Sequence, residues 1–396
     1  MDKGVTGRKL LAEGKTHTRF FFPEKTGGML MHVLCNLLVY ACILLHSVPS
    51  DAKITGNCSD CHTMHNSQNG TAMATYGADG KPWKGSGPFK FLVRGDCLGC
   101  HGMGRTSKIE TMGGNAIPQV YHTDNTGDLA GGNFAYILGA KGTGASDRKG
   151  HNVIDIGKID DILTDAPGRY HDPMARNTEL TCAGNNGCHG WREFNNSGSG
   201  LGSLKGAHHQ NVEGKCDVAD KNQNSYRFLR GVKGLENTGS YKWQNYNSEH
   251  HNEYYGTSTP MGSTCTDCHA APNMYLRPSN SSISGFCATC HGNYHVLTGI
   301  GGDTSSPFTR HPTDVLLPAS GEYAGYTTYS TIAPVGRRTV PDSMSSSVTP
   351  GNDVVTCLSC HAAHATDYAH LLKWDYRNWP GNGLPNGCNA CHTGKN

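Results

Sequence analysis

Six segments of the chain share one arrangement, in which two cysteines are separated by two residues and followed at once by histidine. This spacing is the attachment signature of c-type haem, because the two thiols bond the vinyl groups on one edge of the macrocycle and the histidine binds iron. Paired cysteines also form zinc ribbons, but a ribbon does not require histidine directly after the second cysteine. The sequence therefore predicts at least six haems, on Cys58, Cys61 and His62; Cys97, Cys100 and His101; Cys265, Cys268 and His269; Cys287, Cys290 and His291; Cys357, Cys360 and His361; and Cys388, Cys391 and His392.

A seventh segment departs from this rule, since five residues separate Cys182 from Cys188 before His189. These residues are rich in glycine and asparagine and can loop out while both thiols still reach one macrocycle. We expect a seventh haem on Cys182 and Cys188, with His189 as its axial ligand. The alternative is a disulfide between Cys182 and Cys216, with the haem held by one thiol or absent.

The sixth ligand of each iron separates electron carriers from catalysts. Beyond residue 52, twelve histidines lie outside the motifs, and seven would give every haem two histidines. Of each adjacent pair, His208/His209 and His250/His251, we expect at most one to bind. The twelve are His65, His122, His151, His171, His208, His209, His250, His251, His295, His311, His364 and His370.

Three of these histidines closely follow a motif histidine. His65 and His364 lie three residues after His62 and His361, and His295 lies four residues after His291. If the segment is helical, the second histidine points along the same side as the first and cannot reach the opposite face of the same haem. We therefore expect these histidines to ligate different haems, which would bring neighbouring haems close together.

Methionine is the competing axial ligand and would raise the reduction potential. Because histidine is in surplus, we expect packing against porphyrin faces to be the usual role of the methionines. The candidates are Met64, Met73, Met103, Met112, Met174, Met261 and Met274.

The composition indicates a protein without an ordinary apolar core. Hydrophobic residues make up 36% of the chain, and 52 of its 396 residues are glycine. Short stretches broken by Gly, Pro, Asn and Ser replace any sustained helical or alternating pattern. We predict mostly irregular coil with short helices and few strands, wrapped around a row of covalently bound haems. Helices are expected after the motifs, with a longer one over residues 366–374.

Residues 1–52 read as an export signal. Basic residues precede an apolar run over 29–48, which is followed by small residues at 50–52, and the signal would begin at 29 or 31 if translation starts there. Because His32, Asn36 and His46 interrupt the run, a stable membrane span is the weaker reading. A lipid anchor at Cys42 is disfavoured by the bulky Tyr40 two residues before it.

Residues 53–396 are predicted to form a single haem-binding domain, with two lobes at 53–195 and 260–396 flanking a polar span without motifs. The formal charge of +2 does not indicate nucleic-acid binding. Haem propionates would make the haem-loaded protein net acidic. Charge alone does not select a partner.

The mature chain resembles the outer-surface multihaem cytochromes of metal-reducing bacteria, including their hexahaem filament-forming members. The resemblance is carried by CSDCHTMHNS at 58–67, VYHTD at 120–124, GGNFAYI at 131–137, DRKGHNVI at 147–154, CATCHGNYH at 287–295, TRHP at 309–312, CLSCHAAHA at 357–365 and the terminal GCNACHTGKN. It implies a coil-rich fold with parallel and T-shaped haem pairs and end-to-end polymerisation.

The resemblance also implies the distal ligands. These are His65, His122, His151, His295, His311 and His364, with His208 or His209 completing a set of seven. His65 would most naturally be donated across a subunit interface. The chain departs from the family in the additional motif at Cys265, in the expanded motif at Cys182, and in carrying Trp191-Arg192 where a nearby histidine is expected.

These patterns favour an electron carrier that conducts electrons to other cytochromes or extracellular acceptors, and the resemblance implies that it does so as a homopolymer outside the cell. A monomeric periplasmic shuttle is the alternative. A multihaem reductase is less favoured, because it needs an open iron and no motif carries lysine in place of histidine.

Overall fold

The computed structural model describes residues 56–63, 67–68, 71–72, 92–93, 95–102, 106–154, 156–157, 163, 166–168, 180–184, 186–190, 204, 229–235, 241–260, 282–295, 301–305, 308–377, 379 and 386–395. The chain divides into two units, Met1–Ser50 and Asp51–Asn396, and all described residues belong to the second. Within them, no helix is long and apolar enough to cross a membrane.

The helices of the described residues are short, and five of the ten overlap a cysteine motif. The α-helices are α1 (Cys97–His101), α2 (Ile283–Ala288), α3 (Cys357–Cys360) and α4 (Cys388–Cys391). Single 3-10 turns cover Cys58–Asp60, Phe134–Tyr136, Asp147–Lys149, Gly292–His295, Gly321–Tyr323 and Ala369–Leu371. Among the described residues, the prediction that helices follow the motifs holds for Gly292–His295. The motifs that begin at Cys58, Cys97, Cys357 and Cys388 form the turn themselves, and the motif at Cys182 forms strands.

The strands are two to five residues long, as expected for a chain punctuated by glycine. They are β1 (Ser67–Gln68), β2 (Thr71–Ala72), β3 (Ile109–Met112), β4 (Asn115–Pro118), β5 (Thr181–Ala183), β6 (Gly187–His189), β7 (Val232–Lys233), β8 (Glu253–Tyr255), β9 (Gly301–Ser305), β10 (Phe308–Arg310), β11 (Val315–Leu316), β12 (Gly336–Arg337) and β13 (Val354–Val355). Together with the short helices, they confirm the predicted coil-rich fold class.

One mixed sheet of five strands joins distant parts of the chain in the order β11-β13-β12-β8-β7. Its strands are antiparallel except for the parallel pair of β8 and β12. The other strands form separate two-stranded sheets: β1-β2, β3-β4, β5-β6 and β9-β10. The five-stranded sheet therefore ties residues 232–255 to the carboxy-terminal segments.

Apolar residues form three small clusters, and each contacts cysteine motifs. The first gathers around Leu98 and Phe134 and packs against Cys182. The second surrounds Leu317 and packs against Cys391, and the third surrounds Ile283 and packs against Cys188. Because each cluster is small, the described part of the chain has little apolar core apart from what packs beside its motifs.

The predicted helix over 366–374 is wrong. Only a 3-10 turn forms there, and His370 and Leu371 have left-handed φ angles of 61° and 60°. The main chain instead bonds to the preceding motif, with Ala362 N–H donating to the Leu371 carbonyl and Lys373 N–H donating to the Cys360 carbonyl. These tertiary bonds outweigh the helical spacing of the apolar residues.

Candidate haem-binding site

Local capping stabilises the single turns of two motifs. In α1, the Asp96 carboxylate accepts the Gly99 N–H at 3.1 Å. In α3, Thr356 and Ser359 form a capping box, in which the Ser359 hydroxyl accepts the Thr356 N–H. Residues three apart lie on one face of such a turn. The two cysteines of each of these motifs are thus presented together, as attachment to one haem edge requires.

The second cysteine of a motif belongs to the turn that the first one begins. The Cys61 N–H donates to the Cys58 carbonyl at 3.2 Å, and the Cys290 N–H donates to the Cys287 carbonyl at 3.1 Å. Cys100 lies within α1, together with the first cysteine of its motif. Cys61, Cys100 and Cys290 are all partly buried thiols. Their position beside the first cysteine suits haem attachment, which stays a prediction for all three.

In the expanded motif, strands instead of a helical turn bring the two cysteines together. β5 and β6 pair in parallel, with Thr181 opposite Gly187 and Ala183 opposite His189. This register sets Cys182 opposite Cys188. Cys182 is a thiol rather than half of a disulfide, and Cys216 lies outside the described residues.

Cysteines of different motifs adjoin one another. A hydrogen bond joins the Cys97 and Cys182 thiols. This hydrogen bond, together with burial, raises the pKa of Cys97 well above its usual value. The Cys287 thiol is likewise hydrogen-bonded to the Cys357 thiol. Burial, followed by the neighbouring Cys391, raises the pKa of Cys360 to about 12. None of the twelve motif cysteines among the described residues forms a disulfide, so each keeps the thiol that a thioether bond needs.

Several predicted ligands are held by a main-chain carbonyl at Nδ1, which orients the ring so that Nε2 is the nitrogen available to a metal. This is the usual arrangement around metal-binding histidine. The motif histidines His101, His291 and His361 bond the carbonyls of Pro118, Pro167 and His370 at 2.9, 2.7 and 2.7 Å. Among predicted distal ligands, His151 bonds Ala363 at 2.7 Å and His311 bonds Pro312 at 2.9 Å.

Three motif histidines lie across from a predicted distal histidine. The ring centres of His291 and His151 are 6.1 Å apart, those of His189 and His364 are 6.2 Å apart, and those of His392 and His311 are 6.4 Å apart. An imidazole nitrogen lies about 2 Å from a bound metal, so two imidazoles on opposite sides of one ion have ring centres roughly 6 Å apart. The residues present therefore fit a haem iron between each pair.

The protonation of these histidines also suits metal binding. Burial, followed by the neighbouring His189, lowers the pKa of His364 to about 3. Burial lowers the pKa of His291 and of His361 to about 4, and lowers that of His101, His151 and His311 below its usual value. At neutral pH these rings are unprotonated, the form that binds a metal.

His122 is fully buried, and neither of its ring nitrogens has a hydrogen-bond partner. The Asp128 carboxylate lies 3.7 Å from Nε2. Burial lowers the pKa of His122 to about 4. Buried polar atoms without partners are costly in a folded protein. His122 therefore fits the role of a distal ligand, because an attached haem would supply a partner for one of its ring nitrogens.

The remaining predicted residues divide into two groups. His62 lies beside Val93, and His295 bonds the buried carboxylate of Asp314. The other group lies outside the described residues: Cys265, Cys268, His269, His65, His208 and His209. His251, which was surplus to the predicted ligands, is buried, stacks on Tyr329 and bonds Glu253.

Sequence reasoning missed the residues that orient the ligands. Asp314 and the carbonyls of Pro118 and Pro167 belong to no motif, and they lie 19, 17 and 124 residues along the chain from the histidines they bond. The one available signal was that three of the five carbonyls belong to proline.

Repeated haem-attachment motifs, with imidazoles paired across the space for an iron, are the features that a multihaem c-type cytochrome requires. No protein-family model matches the chain. Its sequence is similar to the C-type cytochrome OmcS of Geobacter sulfurreducens, with 26% identity over 86% of this chain and 84% of that protein. This match confirms the predicted resemblance to outer-surface multihaem cytochromes.

Two solved structures are also similar to the chain. OmcS nanowires from Geobacter sulfurreducens match with 20% identity and a TM-score of 0.37, covering 81% of this chain and 84% of that one. An outer membrane cytochrome S filament from the same organism matches with 19% identity and a TM-score of 0.38, covering 82% and 84%.

Proposed function

We propose that the chain conducts electrons to acceptors outside the cell along a row of haems, as the subunit of a homopolymeric filament. The observation that carries this proposal is the set of three imidazole pairs, with ring centres 6.1 to 6.4 Å apart, drawn from distant segments. Two ligands on each iron leave no coordination position for a substrate, which favours a carrier over an enzyme.

Seven haems would be held by the cysteine pairs and motif histidines named above. Distal ligands would come from His151 for the haem of His291, from His364 for that of His189, and from His311 for that of His392. His65, His122, His295 and one of His208 or His209 would serve the others. Haem c supplies an iron that takes up and releases one electron while both axial ligands stay bound.

Close packing of the haems is supported by contacts between motifs. His361 and His364 belong to one short segment, yet His364 lies across from His189 of another motif. The thiol contacts between Cys97 and Cys182, and between Cys287 and Cys357, bring the attachment edges of different haems together. Short distances between neighbouring haems are what electron transfer along a row requires.

Filament formation rests on the sequence similarity to OmcS, a protein whose solved structures are described as nanowires and as a filament. In this proposal, His65 reaches a haem of the next subunit, so each interface continues the row. Other cytochromes and external acceptors are the expected partners. An extracellular location would follow from this role and from the predicted export signal.

The test is cryo-electron microscopy of material sheared from cells that export the chain, with and without His65→Ala. The unmodified chain should form filaments with an unbroken haem row, and the variant should yield monomers or short oligomers. His370→Ala is the matched control, because its exposed side chain is in no proposed ligand pair. Monomers from the unmodified chain would favour a periplasmic shuttle and contradict the proposal.

A further inference from the structure

His392 differs from the motif histidines that bond main-chain carbonyls, because a carboxylate lies beside its Nδ1. Oε1 of Glu322 is 3.1 Å from this atom. Among the described residues Nδ1 makes no aligned hydrogen bond, so the carboxylate acts on the ring as a nearby charge. Nε2, the other ring nitrogen, remains for iron, and the His311 ring lies across from His392 at 6.4 Å. The site therefore fits an iron on one side of the imidazole and a negative charge on the other.

Main-chain contacts hold Glu322 beside the end of the last motif. Both the N–H and the hydroxyl of Thr393, the residue directly after His392, donate to the Glu322 carbonyl. A Cβ atom at Gly325 would lie 2.7 Å from the Thr393 hydroxyl oxygen, so the two segments are closely packed. The carboxylate is thus kept near His392 by bonds that do not involve the carboxylate itself.

Aromatic rings cover His392 on two further sides. The ring centre of Tyr323 is 5.0 Å from that of His392, and the ring centre of Trp379 is 5.2 Å from it. The imidazole is consequently mostly buried. A charge in contact with a group that is largely shielded from water acts on it more strongly than the same charge would in bulk water.

Lys395 opposes the charge of Glu322. Its Nζ lies 3.1 Å from the same Oε1, and its main-chain N–H donates to the His392 carbonyl at 3.1 Å. The Lys395 side chain is 48% exposed, compared with 21% for Glu322. The ammonium is therefore the more solvated of the two charges, and it offsets only part of the field of the carboxylate at His392.

We infer that Glu322 is a positioning residue whose charge lowers the reduction potential of the haem on Cys388 and Cys391, and that Lys395 counteracts it. A carboxylate beside the outer nitrogen of an imidazole makes the imidazole a stronger ligand. A stronger ligand and a nearby negative charge both stabilise ferric over ferrous iron. The inference rests on the proposed function, because it requires His392 and His311 to share an iron.

The experiment first marks this haem among the others. His311→Ala in the intact haem-loaded protein should remove one distal ligand and make the haem of His392 alone high-spin. Its high-spin ferric resonance can then be followed by electron paramagnetic resonance during a potentiometric titration, apart from the low-spin haems. The absence of a new high-spin signal would contradict the proposed ligand pair, and with it this part of the proposed function.

The charge is then changed on the His311→Ala background. Glu322→Gln keeps the main-chain bonds and removes the negative charge. We expect the ferric preference of the marked haem to fall about threefold, which raises its midpoint potential by about 30 mV for one electron. Lys395→Gln should lower the midpoint potential, because the carboxylate is then no longer offset. Glu249→Gln, which removes an exposed carboxylate from another segment, is the control and should leave the midpoint unchanged.

The sign of the two shifts separates an electrostatic role from a structural one. Both Glu322→Gln and Lys395→Gln weaken the contact between these side chains, so a merely structural role would move the midpoint in the same direction in both variants. Shifts in the same direction would overturn the inference, as would a Glu322→Gln midpoint equal to that of the control. If Glu322→Gln fails to fold, an unchanged or raised midpoint in Lys395→Gln would by itself overturn it.

Discussion

The imidazole of His364 lies across from that of His189, with ring centres 6.2 Å apart and ring planes inclined at 49°. His364 follows the Cys357 motif closely in sequence, whereas His189 ends the expanded motif at Cys182. The pair therefore links two motifs through one proposed iron. Links of this kind would order a chain with small apolar clusters around its proposed haems.

Replacing His364 with alanine should open one coordination position. We expect only one haem, the one attached at Cys182 and Cys188, to become high-spin, while the haem count stays the same because the cysteines are untouched. Electron paramagnetic resonance of the oxidised protein measures this change. His370→Ala, in the same segment, should leave every haem low-spin. Fully low-spin haem in His364→Ala would exclude it as a ligand.

Gly131 should be required to keep His364 in position. A Cβ atom at Gly131 would lie 2.9 Å from the His364 ring, and the His364 N–H donates to the Gly131 carbonyl at 2.6 Å. Gly131→Ala should therefore displace the ring and lower the fraction of low-spin haem, as seen by the same resonance measurement. Gly394→Ala is the control, since its added methyl group meets only an ordinary contact at 3.6 Å. Equal spectra for the two variants would contradict the packing described.

The expanded motif should hold a haem through both thiols. Mass spectrometry of the intact denatured protein should find one haem fewer when Cys182 and Cys188 are both changed to serine. Cys182→Ser alone should keep the haem on Cys188 and shift its ferrous absorption band, because one vinyl group remains unsaturated. Cys216→Ser should change neither measurement. A mass that shows a Cys182–Cys216 disulfide would refute this assignment.

Acid should destabilise the five-stranded sheet through Glu253. This buried carboxylate bonds His251 at 3.1 Å and Arg337 at 3.0 Å. Burial alone would raise the pKa of Glu253, but the bond to His251 and the charge of Arg337 hold it below its usual value of 4.5. The unfolded chain then takes up the proton first, so the free energy of unfolding should fall as the pH drops below about 4.5.

The matched variants for this prediction are Glu253→Gln and Glu249→Gln. Glu253→Gln should cost about 3–5 kcal/mol at neutral pH, because it breaks a buried ion pair, and should flatten the acid dependence. The exposed Glu249 lies in the same segment, so its replacement should do neither. Denaturant titrations at pH 7 and pH 4 measure both effects, and a parallel acid dependence in all three proteins would rule out Glu253 as the cause.

The coil-rich fold could be predicted from the sequence, because it depends on residues close together in the chain, and the haem chemistry of the motifs stays a prediction drawn from the same kind of local pattern. It could not predict which distal histidine meets which motif, since those pairings depend on long-range packing. His361 is extended, with φ of −106° and ψ of 150°, so the helical spacing from which different haems were predicted for His361 and His364 does not occur. The prediction is supported instead by the position of His364 across from His189.

Two further residues show where local patterns failed. The apolar spacing over 366–374 indicated a helix, but the segment bonds the Cys357 motif and takes a left-handed turn at His370. Asp314 had no recognisable motif, since only the folded chain brings it to His295 and Ser282. Tertiary hydrogen bonds decided both positions.

The most direct test of the central claim is to count and classify the haems of the purified full-length protein. Intact mass and quantitative electron paramagnetic resonance should together give seven haems, each low-spin and ligated by two histidines. A five-coordinate high-spin haem in the unmodified protein, or a haem number below six, would contradict the account of an unbroken electron-carrying row.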